Sequence, residues 1–164
     1  MAKTYFKSIP ELTHLFANAD YVDVKSIETR KTLREFLADF LYYSPAWLTA
    51  LYKIRAVFVR FLGMKQETID GTPIQPDDIS FTPGAPCHAF TVTHGKENVY
   101  LAVEHVADHL TAHLIVATEP LDNGMNTMHV GSIVHYNRWT GPVYFTCVRP
   151  FHHLVVNKMM AAGQ

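Results

Sequence analysis

The clearest periodic pattern lies in residues 32–43, where apolar side chains recur at intervals of three and four residues. That spacing places them on one face of an α-helix. Thr32 precedes the apolar run and Glu35 follows three residues later, which is the arrangement of a capping box. The pattern therefore predicts an amphipathic helix whose apolar face carries Leu33, Phe36, Leu37, Phe40 and Leu41.

A second helix is predicted immediately after the first. Ser44 and Pro45 interrupt the first helix, and they suit the cap and the first position of the next one. Gly63 is the expected end of this second helix. Its apolar face contains Trp47, Leu51, Ile54, Phe58, Phe61 and Leu62. The stripe is widened by Leu48, Tyr52, Val57 and Val59, so this helix is apolar on more than one face.

The N-terminal region predicts two shorter elements. Ser8 as a cap and Pro10 near the first turn indicate a short helix in "ELTHLFANA". Residues 20–28, "DYVDVKSIE", favour a strand, although the alternation of apolar and polar side chains is imperfect.

Residues 63–86 are rich in Gly, Pro and Asp and predict a loop, with a short strand near residues 79–81. A loop of this length in a compact domain is often a lid or an entrance. A solvated connection explains the composition equally well.

From residue 87 the apolar period becomes two, which is typical of strands. His88, Phe90 and Val92 fall on one side of the first such strand. Further strands are predicted in "NVYLAVEH", in "HLTAHLIVAT" and over residues 125–137, with "HGKE" and "PLDNG" as turns. The pattern predicts an antiparallel meander.

A long final helix follows "WTGP" and continues to the C-terminus. Its apolar stripe is predicted to contain Val148, Phe151, Val155 and Met159. Pro150 lies inside the helix and cannot donate a backbone hydrogen bond to the carbonyl of Thr146, so a kink is expected there.

Length, net charge and cysteine content limit the classes of protein to which the sequence can belong. The 164 residues predict a single domain, residues 1–164, with a hydrophobic core that needs no disulfides or metal ions to be stable. The net charge of −1 gives no electrostatic reason to expect nucleic acid as a partner. Two cysteines are too few for a disulfide framework, and the most apolar stretch, residues 45–63, is interrupted by three basic residues. A cytoplasmic protein with free thiols and no membrane span is the expectation.

Three histidines at intervals of four, His105, His109 and His113, suggest a metal site on a helix. The flanking apolar residues alternate, however, so the segment is predicted to be a hairpin. His109 and His113 are out of step with Leu110 and Leu114, which predicts that both histidines face outward. The sequence contains no HExxH motif, and neither a metal nor another cofactor is predicted.

Several stretches resemble a bacterial family known only as domain of unknown function 2867. They are "SPAWL" at 44–48, "KIR" at 53–55, "FLG" at 61–63, "DHL" at 108–110, "NRWTG" at 137–141, "YF" at 144–145 and "RPFH" at 149–152. Thr111 and Ala112 stand where the family usually has an acidic residue and an aromatic one, and Pro142 stands where it often has a basic one.

The element order also resembles the helix-grip fold of the START-like superfamily, which includes the birch pollen allergen, polyketide cyclases and lipid-transfer domains. The resemblance implies an α+β fold in which an antiparallel sheet surrounds a long C-terminal helix. It implies a cavity between the sheet and that helix, and it implies no particular reaction.

Three functions remain open. The first is binding of a small apolar or amphipathic molecule in the cavity. The second is an enzyme of cyclase, hydratase or hydrolase type, with His152 or His88 as general base and Arg149 or Tyr144 polarising a carbonyl. The third is a ligand-free interaction or homo-oligomerisation module that uses the wide apolar stripe of the second helix. The candidate ligand-binding residues are His88, Phe90, Tyr136, Tyr144, Val148 and His152, with Phe151 and Val155 as further helix candidates.

Overall fold

The computed structural model describes residues 2–63 and 75–164, and it has the predicted α+β helix-grip arrangement. The helices are α1 (Ala2–Lys7), α2 (Pro10–Thr13), α3 (Leu33–Tyr42), α4 (Ala46–Phe61) and α5 (Thr140–Gly163). The strands are β1 (Tyr21–Thr29), β2 (Pro86–Cys87), β3 (Phe90–Lys96), β4 (Tyr100–Val106), β5 (Leu110–Pro120) and β6 (Asn126–Tyr136). Short 3-10 helices lie at His14–Phe16 and Pro76–Asp78.

The six strands form one sheet in the order β1-β6-β5-β4-β3-β2, and every neighbouring pair is antiparallel. Strands β3 to β6 follow one another as hairpins, which confirms the predicted meander. Residues 104–114 form the β4–β5 hairpin and not a helix. Strand β1 lies at the edge beyond β6, with Tyr21 opposite Val134 and Thr29 opposite Asn126. We call the side of the sheet that faces α5 the grip face and the opposite side the back face.

Helix α3 forms as predicted and anchors the core of the grip face. The Glu35 backbone N–H donates to Thr32 Oγ1 at 3.4 Å, and the Thr32 backbone N–H donates to the Glu35 carboxylate at 2.8 Å, which completes the capping box. The five predicted apolar positions of α3 are at most 6% exposed. They pack with Val156 and Met160 of α5 and with the inward side chains of β3 to β6.

Helix α5 is continuous, with Pro150 inside it, but its predicted buried stripe is displaced. Phe151, placed on that stripe by its apolarity, is 50% exposed. The helix is apolar on several sides, so periodicity alone does not select one of them. Gly141 and Gly163 allow close contact on the side of the helix that is buried. A Cβ at Gly141, for example, would lie 2.5 Å from the His109 carbonyl oxygen. The buried positions are Gly141, Tyr144, Phe145, Val156, Met160 and Gly163.

The N-terminal helices cover the back face, where the sequence had predicted an outward surface. Phe6 and Leu12 are fully buried there against Ile115 and Ile133. The predicted Ser8 cap is wrong, because the Ser8 hydroxyl donates to the Tyr5 carbonyl at the end of α1. Ile9 occupies the N-cap position of α2, while Pro10 is at the first position as predicted.

Helix α4 buries only a narrow part of its wide apolar stripe. Leu48 and Val59 are buried, whereas Ile54, Val57 and Phe61 are 66%, 71% and 87% exposed. Val59 packs where β5, β6 and the first turns of α5 meet. The predicted cap is one residue early, since Pro45 is at the N-cap position and Ser44 precedes it.

The predicted loop at 63–86 lies partly outside the described residues. Within its described part, residues 79–81 do not form the expected strand. A 3-10 helix at Pro76–Asp78 precedes them, and Arg34 of α3 donates hydrogen bonds of 2.8 Å to the carbonyls of Pro76 and Ile79. The Arg34 side chain satisfies these two carbonyls, so no neighbouring strand is needed to do so. Ile79 packs into the core without a strand partner.

Candidate functional site

The densest group of polar side chains on the grip face lies where β1 meets the middle of α5. Because side chains alternate along a strand, Tyr21, Asp23 and Lys25 share the same face of β1. His152 and His153 approach them from α5. All five side chains are partly exposed, so water screens their charges only in part.

His153 connects the polar side chains of β1. Its Nε2 lies 3.0 Å from the Tyr21 hydroxyl, and its Nδ1 lies 3.3 Å from the Asp23 carboxylate. Lys25 Nζ is 3.4 Å from the same Nδ1 and 3.2 Å from Asp23. The Lys25 ammonium can only donate, so His153 Nδ1 accepts and Nε2–H donates to the Tyr21 hydroxyl oxygen. The arrangement therefore leaves the Tyr21 O–H free to donate to a ligand.

Tyr21 carries the hydroxyl that this group presents. Burial raises the pKa of Tyr21, the nearby Asp23 carboxylate raises it further, and the Arg149 guanidinium opposes both. Arg149 lies over the Tyr21 ring, with its guanidinium carbon 5.1 Å from the ring centroid. The phenol is consequently protonated at neutral pH and serves as a hydrogen-bond donor or acceptor, not as an anion.

His152 lies deeper in the interface than His153. Burial lowers the pKa of His152 to about 4, and the neighbouring His153 lowers it further, so the imidazole is neutral at physiological pH. Its Nε2 is buried and has no hydrogen-bond partner among the described residues. Its ring centroid lies 6.4 Å from that of Tyr21 and 6.0 Å from that of Phe145.

An apolar cluster adjoins these polar groups at the beginning of α5. Tyr144 is 5% exposed, and its ring is 4.7 Å from that of His109 and 6.2 Å from that of Phe58. Arg55 of α4 donates a hydrogen bond to the Tyr144 hydroxyl. The cluster consists of Val59, Leu110, Val134, Tyr144 and Phe145, with Tyr21, Phe58, Leu62, Ala112, Tyr136 and Val148 packed against it.

The structure brings four of the six predicted ligand-binding residues into this region. Tyr136, Tyr144 and Val148 belong to the apolar cluster, and His152 lies between that cluster and the polar side chains. The other two are elsewhere. His88 is in the turn between β2 and β3 with a φ of 57°, so it does not share a strand face with Phe90. Phe90 packs against the core formed by α3 and the sheet.

Two further predictions about histidines are wrong. His109 is 3% exposed and packs on Tyr144, and the His113 side chain is 10% exposed on the back face. Neither therefore faces outward as expected. For His113 the reason is that the N-terminal helices cover the back face, so being out of step with the grip-face core does not place a side chain in water. His109 precedes β5 and lies against the first turn of α5, so strand alternation does not apply to it.

Sequence reasoning missed Tyr21, Asp23, Lys25 and His153. The available signal was the alternation of polar side chains at 21, 23 and 25. Polar residues on the inward side of a predicted strand cost free energy to bury unless they form hydrogen bonds or ion pairs, or bind a ligand. That cost makes such residues better site candidates than the apolar ones.

The chemistry available here is hydrogen bonding and proton transfer. The described residues contain no group of three His, Cys, Asp or Glu side chains placed to hold a metal ion. In the same part of the chain, no helix is long and apolar enough to cross a bilayer.

One of the comparisons with known proteins, the family model, agrees with the resemblance noted in the sequence. No curated protein matches the chain. A structure of truncated norcoclaurine synthase from Thalictrum flavum is similar over 85% of this chain and 90% of that chain, with 9% sequence identity and a TM-score of 0.41. A family model described as a protein of unknown function, DUF2867, matches residues 15–159. The match spans most of the chain, which therefore belongs to the DUF2867 family.

Proposed function

We propose that the protein binds a small amphipathic molecule between the grip face and α5. The apolar part of the ligand lies against Tyr136, Phe145 and Val148. Its polar end lies at His152 and Tyr21. Ligand sites in proteins are mostly apolar with a few well-placed polar groups, and the boundary between these two clusters has that composition.

The observation that carries this proposal is the buried Nε2 of His152. Leaving a buried polar atom without a hydrogen bond costs about 1–3 kcal/mol. Apolar side chains of similar size would avoid that cost, and α5 has them at neighbouring positions. A ligand group that bonds to this nitrogen removes the penalty and so makes binding favourable.

The first experiment is native mass spectrometry of the protein purified from its source, compared with its denatured mass. We expect an additional mass that is present in the native spectrum and lost on denaturation. Its value identifies the ligand class. A native spectrum that contains only the chain mass, or only multiples of it, would count against a bound ligand and favour the interaction module.

A matched pair of variants localises the site. His152→Ala is expected to lose the additional mass, because the substitution removes the hydrogen-bonding nitrogen. Phe151→Ala is the control, since Phe151 is the preceding residue and is half exposed on the other side of α5. Equal retention of the mass in both variants would place the ligand elsewhere.

An enzyme that uses the same site is the second candidate, and the contacts of His153 favour it. A pKa of about 4 makes His152 a weak base at neutral pH, so it suits binding better than the general-base role considered above. His153 Nε2–H donates to the Tyr21 hydroxyl oxygen and so orients the phenol proton towards a ligand. Tyr21→Phe should retain the bound molecule and abolish its conversion, because only the hydroxyl is removed. Retained conversion would eliminate Tyr21 as the acid–base group.

A further inference from the structure

Four histidine side chains from four different elements meet on the back face, far from the grip-face site. His14 belongs to the 3-10 helix after α2, His94 to β3, His113 to β5 and His135 to β6. The ring centroids of His14 and His94 are 5.2 Å apart, and those of His113 and His135 are 5.5 Å apart. We call these four side chains the histidine cluster.

The surroundings of His113 in the cluster suit a neutral imidazole. His135 Nε2 is 3.2 Å from the Leu15 carbonyl oxygen, which can only accept, so this nitrogen carries a proton. The Nδ1 atoms of His94 and His113 are buried and have no hydrogen-bond partner in the described part of the chain. A proton added at either of these two nitrogens would place a poorly solvated charge beside other imidazoles.

The cluster lies where the N-terminal segment, residues 2–16, ends its path across the sheet. The segment is held by apolar contacts of Phe6 and Leu12 and by a hydrogen bond of 2.7 Å from the Tyr5 hydroxyl to the Thr118 carbonyl. His14 and the Leu15 carbonyl are its contributions to the cluster. Removing the segment would uncover an apolar strip on the back face formed by Tyr100, Ala102, Ile115, Ala117 and Ile133.

We propose that the N-terminal segment is a proton-sensitive clasp, which is closed while His113 of the histidine cluster is neutral and opens when His113 takes up a proton. Opening separates His14 from His94 and admits water to the buried nitrogens. The opened protein exposes the apolar strip as a surface that is unavailable at neutral pH.

The direction follows from the proton affinities of the two forms. Burial lowers the pKa of His113 to about 4, and the positive charges that His135, His14 and His94 can carry lower it further. In the open form His113 regains its ordinary pKa of about 6.5. The open form therefore binds more protons between these two values, so falling pH favours opening.

One neighbouring charge acts against this effect. The Glu104 carboxylate lies opposite His113 on β4, 3.8 Å from its Nδ1, and would favour a proton there. Its side chain is one third exposed, so water screens its charge, and 3.8 Å is too long for a hydrogen bond. Burial and the three imidazoles outweigh it, which gives the lowered pKa.

Hydrogen–deuterium exchange measured by mass spectrometry tests the clasp. Exchange is followed at about pH 7.5 and about pH 5, on either side of the ordinary histidine pKa, with labelling times scaled to equalise intrinsic exchange. At the lower pH we expect residues 2–16 to lose protection by about tenfold to thirtyfold, as a pKa difference of this size predicts. Strands β5 and β6 should keep their protection from exchange, because the backbone hydrogen bonds between them do not depend on the segment.

Two variants connect the effect to the cluster. His113→Gln should keep the segment protected at both pH values, because Gln cannot be protonated. His14→Gln, at an exposed position that tolerates substitution, should reduce the pH effect if His113→Gln does not fold. His152→Gln is the control on the grip face and should leave the exchange of the segment unchanged. The clasp is refuted if the segment is equally protected at both pH values in the wild type, or if both cluster variants open at the lower pH to the same extent as the wild type.

Discussion

At the scale of single residues, two partly buried imidazoles make stability depend on pH. The pKa values of His152 and His113 are each lowered to about 4 in the folded protein and return to about 6.5 on unfolding. The unfolded chain therefore binds more protons between these values. The stability that depends on neutral imidazoles is complete above about pH 6.5 and is lost as pH falls towards 4.

We predict that the free energy of unfolding falls by about 2 kcal/mol for each of these two histidines between pH 7 and pH 4, after allowance for partial exposure to water. Urea unfolding at several pH values measures this. His152→Gln and His113→Gln should each remove part of the dependence, and their effects should add because the residues lie on opposite faces of the sheet. Parallel pH curves for wild type and both variants would contradict the assignment.

Tyr144 was predicted as a ligand contact, and its surroundings also give it a structural role. We expect Tyr144→Ala to lower the free energy of unfolding by about 3–5 kcal/mol, because the ring fills a site between His109 and Phe58. Tyr144→Phe keeps the ring and loses only the hydrogen bond from Arg55, so it should cost about 1–2 kcal/mol. Urea unfolding distinguishes the two variants. A small effect of Tyr144→Ala would mean that the ring is not part of the core.

At the scale of elements, the first turn of α5 packs directly on the chain that enters β5. A Cβ at Gly141 would lie 2.5 Å from the His109 carbonyl oxygen and 3.0 Å from the Tyr136 ring. The backbone atom cannot move aside without displacing the hairpin, so only glycine fits. This contact sets how closely α5 approaches the sheet at the end where the apolar cluster lies.

We therefore predict that Gly141→Ala lowers the free energy of unfolding by about 1–3 kcal/mol, although alanine is the better helix former. Thermal unfolding measures the change. Val143→Ala, at an exposed position in the same turn, is the control and should have little effect. A Gly141→Ala variant as stable as the control would show that the hairpin can move away from the added methyl group without a loss of stability.

At the scale of the whole molecule, the sheet supports a core on each face. The grip-face core joins α3 and α5 to the sheet, and the back-face core joins the N-terminal segment to β4, β5 and β6. Antiparallel sheets often leave one face in water. Here the side chains of β5 alternate between two covered faces, with Leu114 and Val116 on one and Ile115 and Ala117 on the other.

We predict that Phe6→Ala lowers the free energy of unfolding by about 3–5 kcal/mol, as expected for a fully buried ring. The neighbouring Lys7→Ala, at an exposed position, should change it little. Urea unfolding followed by circular dichroism gives both values. A change below about 1 kcal/mol for Phe6→Ala would mean that the back-face core adds little to stability.

Helix α3, its capping box and the meander were predictable because their signals are local. The cap requires two side chains three residues apart, and each strand shows its own alternation. The buried side of α5 was not predictable in this way. That helix is apolar on several sides, and contacts with Gly141 and Gly163, which carry no hydrophobic signal, select one of them.

The candidate site was predictable only in part, and His152 and His153 show why. Their position on α5 follows from the sequence, but their partners come from β1, about 130 residues earlier in the chain. The pairing of β1 with β6 brings Tyr21, Asp23 and Lys25 beside the helix. No local pattern encodes a pairing between the first strand and the last.

The sequence by itself determined most of the segments that become helices and strands, the α+β class and the family, since these depend on short-range patterns and motifs. Tertiary structure decided which faces are buried and which polar groups meet. It placed the N-terminal segment over the back face and so turned His113 from an expected surface side chain into a buried one. The physical reason is that burial depends on what packs against an element, and that partner is chosen by contacts distant in the chain.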